Sequence, residues 1–201
     1  MTKNKSAEKR KEDILHSAVD LFLEKGYEGT SMEAIAKKSS LTKGGLYHHF
    51  NSKEEILLEA NNLFTIPILE MLQQLQVSKN PLKGLETYIT SYLKHWDLHS
   101  NEVAFTFLSM VKMLQQEELK PLLADYGNMI TGLLEKKYNQ CIEEGIMHDH
   151  DTKSTALCLA SSLDGILAYM LTDSKMTHQK VIKLIKTQFI ETHLIHGESN
   201  V

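Results

Sequence analysis

The chain has 201 residues, 42% of them hydrophobic and 24% charged, with only 3 prolines, which excludes a disordered or collagen-like chain and leaves one large or two small globular units. Its formal charge of −4 hides an asymmetry. Residues 1–53 carry ten Lys/Arg against seven Asp/Glu, net +3, and the remainder carries twelve against nineteen, net −7.

The first fifteen residues, MTKNKSAEKRKEDIL, are charged where a signal peptide needs an apolar run, so the chain is expected to be cytoplasmic. Lys3, Lys5, Lys9, Arg10 and Lys11 form a basic arm that reads as a frayed tail with DNA in reach. Ile14, Ala18 and Phe22 then recur every four residues, flanked by Leu15, Val19 and Leu23, and predict an amphipathic helix that Gly26 terminates. In TSMEAIAKKSS, Thr30 is the expected N-cap with Glu33 at N3, a capping box, and Ile35 and Ala36 mark a short buried face. Thr42 caps a third short helix, TKGGLYHHF, whose N3 position holds Gly45 rather than an acid. Ser52-Lys53-Glu54-Glu55 is another capping box and opens a fourth helix through Ile56-Leu57-Leu58.

Two short helices behind a longer one make a helix-turn-helix pattern, whose second helix enters the major groove. Glycine costs a helix interior about 1 kcal/mol relative to alanine, so Gly44-Gly45 needs a reason. A bare backbone approaching phosphate or base edges is one, and it also accounts for the missing acid. The other reading takes the glycine pair as a loop, with Tyr47 and Phe50 as core aromatics.

From about Arg10 to Ala60, the residues Ile14-Leu15, Ala18, Leu21-Phe22, Lys25-Gly26-Tyr27, Thr30-Ser31-Met32, Ile35-Ala36, Lys43-Gly44, Leu46-Tyr47, His49-Phe50 and Ser52-Lys53 closely resemble the DNA-binding domain of TetR-type transcriptional regulators. One departure is Ser40, where the turn of such domains usually carries glycine; a serine there costs of order 1 kcal/mol in the left-handed region. The resemblance implies that Thr30, Thr42, Lys43, Gly44, Gly45, Tyr47, His48, His49 and Lys53 contact a double-stranded DNA operator, the caps and Lys53 through phosphates. His48 and His49 point about 100° apart on a helix, so one faces the groove more squarely than the other. Phe50, Ile35, Ala36 and Leu46 read as core.

Beyond residue 53 the chain reads as all helix. Pro67 is expected to kink or end the fourth helix near Ile66. Further helices are expected over 81–96, from the Ser100-Asn101 break to about 120, and over 122–144 before a stop at Gly145. His148-Asp149-His150-Asp151 makes a polar connector, and two long helices follow over 152–172 and 177–196. The first of these is the most apolar stretch and carries Asp164 at its middle, which argues against a membrane partner. Consecutive residues in a loop seldom converge on one ion, and no HExxH, GxSxG or phosphate loop completes a catalytic site, so no enzyme, cofactor or metal is expected. Cys141 and Cys158 form no CxxC pattern and read as packing groups, with redox sensing the alternative.

The expected architecture is all-α: a helix-turn-helix DNA-binding domain over 1–53 and a larger helical ligand-binding and dimerisation domain over 54–201. In proteins of this resemblance the last two helices pair with their copies, which implies a homodimer through Leu157, Ala160, Leu163, Leu167, Ile182, Ile185 and Phe189. It also implies a small-molecule effector held among the middle helices, for which Tyr88, Tyr92, His95, Trp96, Phe107, Met110, Met113, Tyr126 and Met129 are candidates alongside plain core filling. The function implied is a ligand-responsive repressor released from a palindromic operator; an activator, a metal-dependent enzyme and a helical adaptor are the alternatives.

Overall fold

The computed structural model describes residues 7–195; Lys3 and Lys5 of the basic arm and residue 196 of the last expected helix lie outside them. The described residues form nine α-helices and no strand: α1 (Ala7–Gly29), α2 (Met32–Lys38), α3 (Lys43–Tyr47), α4 (Lys53–Val77), α5 (Pro81–Leu98), α6 (Ser100–Leu114), α7 (Lys120–Glu143), α8 (Thr152–Thr172) and α9 (His178–Phe189), then a 3-10 turn over Glu191–His193. They divide into two compact units, residues 1–66 with 104–112 and residues 67–103 with 113–201. The sequence reading placed its boundary at the capping box of residue 53; the compact unit continues along α4 as far as Ile66.

In the N-terminal unit, Ile14, Ala18 and Phe22 are fully buried at the predicted spacing, and Gly26 breaks α1 with φ 74° and ψ 162°. Lys9, Arg10 and Lys11 are helical, in the first turns of α1, rather than part of a frayed arm. Ile35, Ala36, Leu46 and Phe50 join the core from α2, α3 and the turn after it. A residue distant in sequence completes that core: Phe105 stacks on Phe22 at 6.2 Å between ring centroids and meets Phe64 edge-on at 5.6 Å. Ser40 has a φ of 58°, alone among the described non-glycine residues in being positive. The turn closes as a Schellman motif, with Ser40 N–H donating to Lys37 O at 3.2 Å and Leu41 N–H to Ala36 O at 2.8 Å.

In the C-terminal unit α5 packs on α7, α8 and α9, and α8 lies between α7 and α9. Asn80 caps α5, accepting from Lys83 N–H at 2.8 Å, with Pro81 at the first helical position where its missing donor costs nothing. Gly145, at φ 69°, stops α7 in a second Schellman motif. A short antiparallel bridge pairs Met147 with Leu194, and Tyr138 Oη donates to Phe189 O at 2.9 Å.

Four boundaries differ from the sequence reading. α4 runs unbroken through Pro67, since one missing N–H removes one bond from a long helix. α5 and α6 are separated by His99 alone, and α6 stops at Leu114, six residues short. α9 ends at Phe189, before the 3-10 turn.

Candidate DNA-reading surface

α3 is held from both ends by its own sequence. Thr42 accepts from Gly45 N–H at 3.1 Å, the predicted cap, and buried Leu46 fixes which face points inward. Thr42, Lys43, Gly44, Tyr47 and His48 are exposed, while Gly45 and His49 are half-buried. The two glycines have different causes. A Cβ on Gly45 would meet Thr42 Oγ1 at 3.2 Å and Leu41 Cδ2 at 3.7 Å, so the cap itself favours glycine there. A Cβ on Gly44 would meet nothing within 4 Å, so the fold gives no reason for glycine there.

Lys43 pairs with Glu33 across the helix-turn-helix, and its ammonium lies 6.0 Å from the Tyr47 ring centroid. The hydrogen bond from Lys43 holds the Glu33 carboxyl below its ordinary value, and Glu33 in turn raises the lysine. His48 and His49 meet edge-on at 5.5 Å. Burial, then the neighbouring His48, Lys11 and Arg10, push His49 down toward its neutral form.

Two predicted contact residues do structural work. Thr30 is buried, and its hydroxyl donates to Leu21 O at 3.1 Å and Gly26 O at 2.9 Å, tying off α1; it neither caps α2 nor presents a hydroxyl outward. The cap is Ser31, which accepts from Ala34 N–H at 3.2 Å and is exposed. The capping-box template misplaced it by one residue because the end of α1 claims the Thr30 hydroxyl. Lys53 Nζ donates to Tyr27 O at 2.6 Å and Thr30 O at 3.0 Å and sits 4.2 Å from the centre of the Tyr27 ring. Two of its three donors therefore clasp the end of α1 to the start of α4. Lys112 approaches the same ring at 5.3 Å and pairs with Glu28 at 2.6 Å. Burial, then Glu54 and Glu28, raise the Tyr27 hydroxyl. This lysine–aromatic hub was not read from the sequence; Tyr27 after the Gly26 stop is its only local signal.

The predicted effector residues do not assemble as one set. Phe107 and Met110 belong to the N-terminal unit, and Met110 and Met129 are exposed. Tyr88, Tyr92, Trp96 and Met113 are buried in the C-terminal unit, with His95 and Tyr126 half-buried. Tyr92 Oη donates to Asp164 Oδ1 at 2.5 Å, and Tyr88, Tyr92, Trp96 and His95 form a ladder of ring contacts along α5. A cavity of about 130 Å³ opens beside Tyr88, lined by Met71, Leu75, Lys83 and Thr87 among others.

On the proposed dimer helices, Leu163, Leu167 and Ile185 are buried within one chain, together with Ala156, Leu159 and Val181, so they are core and not available to a second copy. Leu157 is exposed as expected, and Ala160, Ile182 and Phe189 are half-buried. The apolar residues left outward are Leu157 of the predicted set together with Tyr169, Leu171 and Leu184, which the sequence reading did not name. In the connector, Asp151 caps α8 by accepting from Ser154 N–H at 3.1 Å, and His150 stacks on His193 at 3.9 Å.

These positions match known proteins most closely in the head. The model for bacterial regulatory proteins of the tetR family matches residues 14–60. The uncharacterized HTH-type transcriptional regulator YxaF of Bacillus subtilis is 38% identical over 90 residues, 43% of this chain and 47% of that protein. IcaR of Staphylococcus epidermidis, the negative transcriptional regulator of the biofilm operon icaADBC, is 46% identical over 46 residues, 23% of this chain and 25% of its own. The chain thus spans about half of the first relative and a quarter of the second. Over nearly its whole length the fold matches AibR, solved in complex with isovaleryl coenzyme A and operator DNA, with a TM-score of 0.69 at 23% identity, covering 90% of this chain and 98% of that one. The cap, the positive-φ turn and the exposed helix α3 all fall inside the matched residues, so residues 14–60 are similar to the DNA-binding head of the tetR family of bacterial regulatory proteins.

Proposed function

We propose that the chain is a cytoplasmic, homodimeric repressor that binds a palindromic DNA operator through α3 and releases it when a small molecule binds the C-terminal unit. The observation that carries this reading is Gly44: a helix position that is glycine with open space where a Cβ would stand, next to exposed Thr42, Lys43, Tyr47 and His48. Bare backbone there lets phosphate or base edges come close. Lys53 adds its third N–H donor, Ser31 takes the outward hydroxyl role first given to Thr30, and His49 stands in its neutral form beside His48. Repression is supported by IcaR, and effector control by AibR with its acyl coenzyme A and operator.

The dimer reading rests on α8. It is long and apolar enough to cross a membrane by length and composition, with little of it buried inside one chain. Its outward face joins Leu157 and Tyr169 to the small residues Ser161, Gly165 and Ala168, a surface on which a second α8 packs closely. Asp164, in the middle of that helix, is held by Tyr92 within the unit, which favours a protein partner over lipid.

Recovery and sequencing of genomic fragments retained by the purified protein tests the reading. A few enriched sites sharing a palindrome support it. Uniform retention, persisting after denaturation and refolding to remove any bound effector, overturns it.

A further inference from the structure

The junction of α5 and α6 carries a second kind of chemistry. His95 lies in the last turn of α5, His99 is the residue between the helices, and Glu102 is in the first turn of α6. One ring nitrogen from each histidine and one carboxylate oxygen lie within 4.8 Å of one another. The spacing HxxxHxxE produces this: four residues carry His95 round one helical turn to His99, and three more bring Glu102 back over the break.

The groups around the two imidazoles fit as well. His99 Nδ1 lies 2.6 Å from His95 O, and a carbonyl only accepts, so Nδ1 carries the proton and Nε2 presents its lone pair. The two imidazoles stack at 4.4 Å, and Trp96 stands edge-on against His95 at 4.9 Å. His95 Nε2 is buried with no hydrogen-bond partner in the chain. All three residues are half-buried, neither sealed from an entering ion nor fully hydrated.

We propose that His95, His99 and Glu102 bind a divalent first-row transition-metal ion, with zinc the type case. Two imidazoles and a carboxylate suit zinc, nickel or ferrous iron better than calcium or magnesium, which favour all-oxygen sets. Three protein ligands leave a fourth position for water or an effector group. The bound ion ties the last turn of α5 to the first turn of α6 across a break of one residue. The three residues belong to the C-terminal unit, and α3 to the N-terminal one.

Metal-free, full-length protein titrated with Zn²⁺ against a chromophoric chelator tests this. One equivalent per chain is expected to bind, with affinity reduced at least about tenfold by Glu102→Gln and by His99→Ala while far-ultraviolet circular dichroism is unchanged. The His148, His150 and His193 cluster is the competing donor set, so the double variant His148→Asn/His150→Asn is expected to bind zinc as the parent does. Glu102→Gln replaces a carboxylate by an isosteric amide and keeps the test open should His99→Ala fail to fold. Absence of zinc binding, equal affinity in Glu102→Gln, or loss confined to the His148/His150 variant would each overturn the site.

Discussion

In the N-terminal unit the buried hydroxyl of Thr30 makes two hydrogen bonds and Lys53 two more, whereas in the C-terminal unit the ring nitrogens His95 Nε2, Trp96 Nε1, His150 Nε2 and His193 Nδ1 are buried without a partner in the chain. All four such atoms among the described residues fall in the C-terminal unit. Each buried polar group left unpaired costs about 1–3 kcal/mol. The head therefore pairs its buried polar groups within itself. The body keeps four buried ring nitrogens unpaired within the chain, which agrees with the sensing and assembling role proposed for it.

The sharpest way to break that contrast is on α8. Leu157→Glu with Ala168→Glu puts two charges on the outward face without touching the buried Leu159 and Leu163. The expected outcome is a folded monomer by light scattering and operator affinity lower by about a hundredfold, since two linked half-sites become one. A dimer that survives both charges would remove α8 as the interface. Next in size, Lys53→Ala strips Tyr27 O and Thr30 O of their shared donor and removes the cation from the Tyr27 ring. Urea unfolding is expected to show a loss of about 2 kcal/mol, the scale of hydrogen bonds made by a charged donor. An unchanged midpoint would mean that the clasp contributes nothing to the head.

Two further substitutions separate stability from reading within the head. Ser40→Gly relieves a left-handed serine and is expected to stabilise by about 1 kcal/mol with operator affinity unchanged. Gly44→Ala is expected to stabilise α3 by about 0.5–1 kcal/mol and yet weaken DNA binding, because the new methyl meets nothing in the fold and stands on the face proposed to approach DNA. Gain in both properties would show that Gly44 faces away from the DNA.

The same contrast explains what the sequence disclosed. Local rules govern the head: a cap at Thr42, a glycine stop at Gly26 and a strained serine at Ser40 each act within a few residues, and each stands where the sequence placed it. The clasp of Lys53 on Tyr27 spans 26 residues and Phe105 reaches its core from far down the chain, and no periodicity encodes such pairs. In the body, apolar spacing gave the helices but not their facing. Leu157 and Leu163 belong to one apolar helix, and only its packing against α5, α7 and α9 decides that Leu163 turns inward and Leu157 outward. The hydroxyl of Thr30 went inward for a comparable reason, since Thr30 and Ser31 both suit a cap and the end of α1 claimed the first.

The smallest effect concerns a contact that holds the reading edge back. Glu33 pairs with Lys43 on an exposed surface, and its carboxyl is held below the ordinary range chiefly by that hydrogen bond. A depressed carboxylate contributes above its unfolded-state value of about 4.3 and loses that contribution as pH falls, so at neutral pH the pair is fully formed. In the proposed complex DNA competes for Lys43 with this acid and also meets the acid's own charge. Glu33→Gln removes both obstacles while keeping the side chain's shape. It is expected to tighten operator binding modestly, to steepen the dependence of log affinity on log salt by up to about one unit, and to leave thermal stability nearly unchanged, as an exposed pair stabilises little. Fluorescence anisotropy across a salt series reads all but the last of these. Affinity and slope equal to the parent's would mean that Lys43 stays clear of phosphate, and the reading edge would then rest on Thr42, Tyr47 and His48 with the bare backbone of Gly44.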